Sequence, residues 1–403
     1  MSSSAAVISA VNLGYYEEFL VSLLNEIVLP DAYSLIVGCS VSITLLLALI
    51  FDACFGEAKK YHYLVGFGYI AQWLEQRLNP DFIAKPIKPI KPIKSNNDDS
   101  DVFAEEDLAL TSNSSFSASS SKVATGTNQE PKFSIKSALL GGCAWLLMVL
   151  PIPLFYWFFL NDFIWYWQLL LDAVVLYLAI GLHSLHQHAM QVYQPLKNNN
   201  LVQARHFTGY LVSRDTTALS PQAMSRATVE SMLENGHDSV IASLFYYVIG
   251  GAPLVILHRF ANTLDAMWGY KSARFFSFGY VSARLDDLLG FASAKVCTLL
   301  YAIQGSIYGR FKCSVSNAFK QGNQYKSHNG GWVMAAGATV MNVLLGGSAS
   351  YHGKTISSVS LGVGEQVSLD DIMRSVKLVK VAALLLLLSV FSGQLVAMLL
   401  ISH

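Results

Sequence analysis

The chain has 403 residues, 53% hydrophobic and only 13% charged, against roughly a quarter charged in a typical soluble domain, which argues against an assembly of soluble domains. Its 27 basic and 27 acidic residues cancel, so no global field recruits nucleic acid, and none is expected as a partner. Five cysteines (Cys39, Cys54, Cys143, Cys297, Cys313) show neither CxxC spacing nor a pairing framework and read as small buried hydrophobes.

In chain order, residues 15–30 are short and amphipathic and read as an interfacial segment. Residues 34–51 form an uncharged apolar run of about the length of a spanning helix, ended by Asp52. No Lys or Arg precedes Lys59, so the start lacks the basic region of a cleavable signal peptide, and this first run is expected to stay. Residues 80–132 read as a disordered linker: three Ile-Lys-Pro repeats favour polyproline II geometry, and an acidic patch and a serine run follow with little to bury. Three regions result: an N-terminal interfacial and spanning region (1–79), the linker (80–132), and a transmembrane and catalytic core (133–403).

Within the core, residues 137–160 and 164–182 predict two spanning helices joined as an antiparallel hairpin, with a kink at Pro151 and Pro153. Asp172 lies inside the second and should face protein rather than lipid. A last spanning helix is predicted over residues 378–401. Basic residues flanking these runs place the N- and C-termini outside and the linker and residues 183–377 inside. The fold class is therefore all-α: a multi-pass membrane protein with about four spanning helices plus re-entrant or interfacial helices around an inward-facing polar site. Residues 241–257 and 291–308 fit less simply, being apolar yet flanked by Arg259, Lys271, Arg274, Arg284, Lys295 and Arg310. The Gly250-Gly251-Ala252-Pro253 break predicts an interrupted, re-entrant helix lining a cavity; the alternative is that both segments cross as a pair.

Charge gathers between residues 214 and 287. After Ser220-Pro221, an N-cap and first-turn proline, Arg226, Glu230, Glu234 and Asp238 fall within about 120° on one face of a regular helix. Three stacked carboxylates repel one another unless a cation neutralises them, although a solvated face has the same pattern. Hard carboxylate oxygens favour Mg²⁺, which commonly bridges to phosphate, and Asp265 and Asp286-Asp287 fit the same account. Arg214, Arg226 and Arg284 would bind phosphate or carboxylate, or else form structural ion pairs with these clusters. His183, His186 and His188 read as helix-end histidines rather than a metal set. The GxGxxA-like stretch at residues 66–71 lacks a preceding strand, and residues 347–355 miss a phosphate-binding loop because Ser348 replaces a glycine.

Several motifs in order resemble one family. They are Arg214-Asp215-Thr216; Glu230 to Glu234-Asn235 with Asp238; Gly250-Gly251-Ala252-Pro253; Asn262-Thr263-Leu264-Asp265 with Gly269-Tyr270; Ala283-Arg284-Leu285-Asp286-Asp287; Asn329 with Gly331-Trp332; and Gly346-Gly347 with Tyr351. Together they are similar to the CobD/CbiB family of membrane-bound adenosylcobinamide-phosphate synthases. The Asp52, Gly56 and His62 set also resembles the family, but Tyr63 and His328 stand where prolines are usual, and residues 80–132 have no counterpart.

The resemblance implies amide formation between adenosylcobyric acid and aminopropanol phosphate, with ATP as co-substrate and Mg²⁺. It implies catalytic roles for Arg214, Asp215, Arg226, Glu230, Glu234, Asn235, Asp238, Asn262, Asp265, Arg284, Asp286 and Asp287. Glu230, Glu234, Asp238, Asp265, Asp286 and Asp287 would handle Mg²⁺, and His62, Thr216, Tyr270, Asn329, Trp332 and Tyr351 would contact substrate. The implied setting is the inner membrane, with the site facing the cytoplasm and other membrane enzymes of cobalamin assembly as neighbours. The alternative is a non-catalytic, AmpE-like sensor or transport-linked protein, which would not need all three acidic clusters.

Overall fold

The computed structural model describes residues 38–56, 63–82, 132–160, 164–212, 215–351 and 354–401, with the backbone alone at 348–357 and 401. The expected interfacial segment at 15–30, residues 83–131 of the linker, His62 and Arg214 lie outside the described residues. The elements are α1 (Ser40–Phe55), α2 (Tyr63–Leu78), α3 (Ile135–Val149), α4 (Pro151–Phe155), α5 (Trp165–Ala179), α6 (Leu182–Lys197), α7 (Leu201–Leu211), α8 (Pro221–Asn235), α9 (Ala242–Trp268), α10 (Tyr280–Gln304), α11 (Phe311–Asn317), α12 (His328–Met341), β1 (Val343–Tyr351), β2 (Lys354–Gly362), β3 (Glu365–Gln366) and α13 (Asp371–Ile401).

Five helical stretches among the described residues are long and apolar enough to cross a membrane: Ile135–Leu160, Trp165–Lys197, Pro221–Trp268, Tyr280–Tyr308 and Asp371–Leu400. This is the expected polytopic helical architecture, with two changes to the count of four. The first predicted span is a shorter apolar helix of 16 residues, and the two unplaced apolar segments are each part of a long helix. The prolines act as foreseen, since the helix restarts at Pro151 and widens into a π-helical turn at Tyr156–Leu160. The cysteines divide: Cys39 and Cys297 are buried, whereas Cys54, Cys143 and Cys313 are exposed on apolar helix surfaces or turns.

Asp172 faces protein. It accepts hydrogen bonds from the Tyr156 hydroxyl, Gln168 Nε2 at 2.9 Å and the Tyr247 hydroxyl at 2.9 Å. Three donors offset the cost of removing a carboxylate from water, and they tie α5 to the π-turn and to α9. Asp52 also joins two elements, because its Oδ2 accepts from the backbone N–H of His183 at 2.8 Å, at the start of α6, where a negative charge suits the helix N-terminus.

The stretch Pro221–Trp268 is not one straight rod. Gly250 (φ −154°, ψ 26°) and Gly251 (φ 64°, ψ −161°) leave helical geometry, and Pro253 then lacks the N–H that a continuing helix would use. Beyond the break the chain turns back. The rings of Tyr246 and His258 stack at 4.9 Å, although twelve residues of straight helix would separate them by about 18 Å. Asp238 lies within electrostatic reach of Arg259 and Asp265, which a straight helix would put more than about 30 Å away. Residues 246 with 258, and 238 with 265, share one antiparallel register centred on the Gly-Gly-Ala-Pro turn, so the interrupted helix is a helical hairpin.

The returning half packs on α2, where Phe67 and Phe260 stack at 4.3 Å, within a core that includes Trp145, Leu264, Trp268 and Phe278. A second, larger core joins α5, α6, α8, the first half of α9, α10, α12 and α13. A bidentate pair of Arg274 with Glu75, at 2.6 and 2.7 Å, clips α2 to the loop between α9 and α10.

One addition to the helical reading is a sheet of order β2-β1-β3, in which β1 pairs antiparallel with β2 and parallel with β3. The near-miss phosphate loop at 347–355 belongs to this hairpin and has no helix after it, while the GxGxxA-like stretch is inside α2.

Gly251 combines φ 64° with ψ −161°, a region open in practice only to glycine. Gly251→Ala should therefore cost about 1–3 kcal/mol. Gly66, with open space around its Cα, is the control, and Gly66→Ala in the same helical protein should be neutral or slightly stabilising. Thermal unfolding of the two variants in detergent checks the contrast.

Candidate functional site at the helical hairpin

The site begins at α8. Ser220 caps it as the sequence predicts, its Oγ accepting from Ala223 N at 3.2 Å, with Pro221 in the first turn. Arg226, Glu230 and Glu234 follow at helical spacing and are part-buried. A π-helical turn at Gly236–Ile241 breaks the regular helix between Glu234 and Asp238, yet Asp238 stays within electrostatic reach of Glu234. Such turns are frequent at functional positions.

The stripe meets two other elements. Glu230 Oε1 accepts from Gly346 N at 2.8 Å, and Arg226 Nη1 lies 3.7 Å from where a Cβ on Gly347 would stand. Both glycines have positive φ, at a bulge between Gly346 and Ser348. Glu234 lies against the start of α12, with Oε1 2.6 Å from a Cβ built on Gly330. A carboxylate at a helix N-terminus is favoured by the dipole, and only a residue without a side chain lets it approach this closely. Ser327 caps α12 by accepting from Gly330 N. His328 thus occupies the first-turn position of α12.

The hairpin and α10 complete the cluster. Asp238 Oδ1 is 2.7 Å from His237 Nδ1, and His237 Nε2 is 2.9 Å from Ser293 Oγ. Asp238 is within electrostatic reach of His258 and Arg259, Asp265 of Asp238 and Asp287, and Asp286 of all three of these aspartates. Asn262 Nδ2 reaches Asp286 Oδ1 at 3.5 Å, and Asn329 Nδ2 donates to the Asp287 carbonyl at 2.8 Å. The clusters that are separate in sequence are one cluster in space.

The other expected residues are placed variously. Asn235 Nδ2 donates to Ser231 Oγ. Asp215 is engaged in a local turn, accepting from Thr217 N at 2.9 Å and Thr217 Oγ1 at 2.7 Å, and Thr216 packs toward Gly209. Arg284 is exposed and lies over the Tyr280 ring. Two residues from Asp286, it projects about 200° around α10 from that carboxylate. Trp332 is buried, donates to Asn323 at 2.6 Å and carries Lys295 Nζ 3.1 Å from its ring centroid. Tyr351 is on β1, where its backbone alone is described.

Sequence reading missed His237, His258, Arg259 and Lys295 as site residues. The visible signal was Arg259, a guanidinium in an otherwise apolar segment, and such residues in membrane helices are functional by default.

Among the described residues no three His, Cys, Asp or Glu side chains lie close enough together to hold a metal ion by themselves. The six expected carboxylates form one open line: Glu230 and Glu234 toward β1 and α12, then Asp238, within electrostatic reach of Glu234, with Asp265, Asp286 and Asp287 at the hairpin. Part-exposed hard oxygens of this kind suit an ion that keeps water and completes its shell with substrate phosphate.

These features define a polytopic helical membrane protein whose acidic site is built on a broken helix. The signature of the family described as CobD/Cbib protein matches residues 116–379, and the chain belongs to the CobD/CbiB family. It is 37% identical over 327 residues to a protein of Stutzerimonas stutzeri named "Cobalamin biosynthesis protein CobD", covering 81% of this chain and 88% of the relative. A protein of the same name from Chromobacterium violaceum is 35% identical over 333 residues, 83% of this chain and 90% of its own. "Cobalamin biosynthesis protein CbiB" of Salmonella typhimurium is 32% identical over 253 residues, 61% of this chain and 75% of the relative. No solved structure matches.

Tyr270, in the loop after α9, reports on the cluster, since burial and then the Asp265 carboxylate push its phenol above the ordinary value. Asp265→Asn removes the second cause, so the Tyr270 pKa should fall. A spectrophotometric titration, differenced against the same proteins carrying Tyr270→Phe, reads this shift.

Proposed function

We propose that the protein acts in cobalamin biosynthesis and joins adenosylcobyric acid to aminopropanol phosphate through an ATP-dependent amide bond. The names of the relatives support the first part. The observation that carries the second is the helical hairpin, which gathers Asp238, Asp265, Asp286 and Asp287 beside Glu234 and the α12 N-terminus. A non-catalytic sensor has no need of this convergence.

A carboxylate and an ammonium do not condense unaided in water. The substrate carboxylate attacks the γ-phosphorus of ATP, the bond to ADP breaks, and an acyl phosphate results. The amine, once deprotonated, attacks the acyl carbon, and phosphate leaves as the C–N bond forms. The excess carboxylates have two roles in this scheme. One or two of Asp238, Asp265 and Asp286, with water and substrate phosphate, would hold Mg²⁺, which when bound screens phosphate charge. Glu234, held against Gly330 at the start of α12, takes the ammonium proton as general base. The bilayer positions the protein, with the site on the cytoplasmic face of the inner membrane, and other membrane enzymes of cobalamin assembly are natural neighbours for substrates this large.

Glu234→Gln preserves shape and removes the base. Purified in detergent and supplied with adenosylcobyric acid, aminopropanol phosphate and Mg·ATP, the variant should form product at least about a hundredfold more slowly than the parent protein. Wild-type turnover by a folded variant would remove Glu234 from the reaction.

A further inference from the structure

We propose that Arg259 is the phosphoryl receptor of this site, its guanidinium taking the oxyanions of a bound phosphate group; the assignment rests on the amide-forming function proposed above. Arg259 is in the returning half of the hairpin and is 7% exposed, and its Nε is enclosed with no hydrogen-bond partner. An enclosed donor left unpaired is costly, and more so on a charged group.

A purely structural role is a poor fit. Asp238 is the carboxylate that balances Arg259 at a distance, but Oδ1 of that carboxylate is 2.7 Å from His237 Nδ1. Arg274 shows what a structural arginine does in this protein: it grips Glu75 with two contacts of 2.6 and 2.7 Å. Arg259 has the charge without the grip. His258, the preceding residue, does not pair with it: its ring is stacked on Tyr246 and its buried Nδ1 is likewise unpartnered.

The surroundings select the ligand. Asp238, with 34% of its side chain exposed, opens the cluster to solvent beside Arg259. Asp238, Asp265 and Asp286 repel a bare anion, whereas a phosphoryl group arrives with a divalent cation that the carboxylates attract and leaves oxygens for a guanidinium. Of the other arginines expected to act on phosphate, Arg284 lies over Tyr280 on the far face of α10, and Arg226 is beside Gly347. Among the described residues, which do not include Arg214, Arg259 is the guanidinium placed at the hairpin cluster.

The phosphoryl group has two sources in the proposed reaction, the triphosphate and the amino-alcohol phosphate, and a binding experiment separates them. Full-length protein in detergent with Mg²⁺ is titrated calorimetrically with a non-hydrolysable ATP analogue and, separately, with O-phosphoethanolamine. Wild type should bind at least one probe. Arg259→Gln and Arg259→Lys should keep the wild-type melting temperature and lose about ten- to a hundredfold in affinity for the probe that Arg259 holds; the probe affected identifies the source. Unchanged affinity for both probes in either folded variant, or no binding of either by wild type, overturns the assignment. Failure of both variants to fold overturns it too, since a guanidinium kept for a ligand is dispensable to the fold. If Arg259→Lys loses phosphate binding while wild type makes no amide product, the receptor stands and the proposed reaction does not.

Discussion

The constraint on which this structure depends is the backbone of Gly250-Gly251. A helix that begins among the acidic residues of α8 and runs into an apolar segment would carry Arg259, Asn262 and Asp265 far from Glu234 and Asp238. The break at φ 64°, ψ −161° reverses it, and the proline two residues on prevents the first half from continuing. Everything chemical follows from that reversal. The stacking of Tyr246 on His258 and the hydrogen bond from the Tyr246 hydroxyl to the Leu289 carbonyl at 2.6 Å then fix the hairpin against itself and against α10, which brings Asp286 and Asp287.

Ionisable groups inside this apolar protein fall into two kinds, and the difference separates scaffold from site. Asp172 has three donors, Glu75 a bidentate arginine and Asp52 a helix N-terminus. Each is compensated and each joins two elements. At the hairpin the balance is different: four aspartates are mutually repulsive, and a buried arginine has an unmatched Nε. Charges left in excess of their partners are what a site that awaits a multiply charged ligand should show.

The sequence made some of this legible. Helical content, the Ser220-Pro221 start, the inward face of Asp172 and the Gly250-Gly251 break were all readable, because each rests on a local rule of capping, burial or backbone freedom. That the three charged clusters meet was legible only as a geometric requirement on the chain between them. The π-turn at Gly236 was not, since no composition marks it; it breaks the regular spacing between Glu234 and Asp238 without separating their charges. Arg284 stands apart from its motif neighbour Asp286, because two residues along a helix nearly reverse direction. Arg259 was visible as an anomaly of charge in an apolar run, but its partner set depends on a fold-back that periodicity alone does not encode. The β1–β2 hairpin, two strands of nine residues each, is rich in glycine and serine, which are weak strand formers, so its sequence did not mark it.

The central claim is the reversal itself, and a distance across it tests it most directly. Gln222 and Ala266 are both exposed. With the five native cysteines replaced, spin labels at these positions can be measured by double electron–electron resonance in detergent or nanodiscs. A hairpin centred near residue 251 places them about 20 Å apart, from the unequal lengths of its two arms and the spacing of packed helices. A continuous helix would place them about 66 Å apart. A distribution centred near the shorter distance is the expected result, and one near the longer distance would contradict the site described.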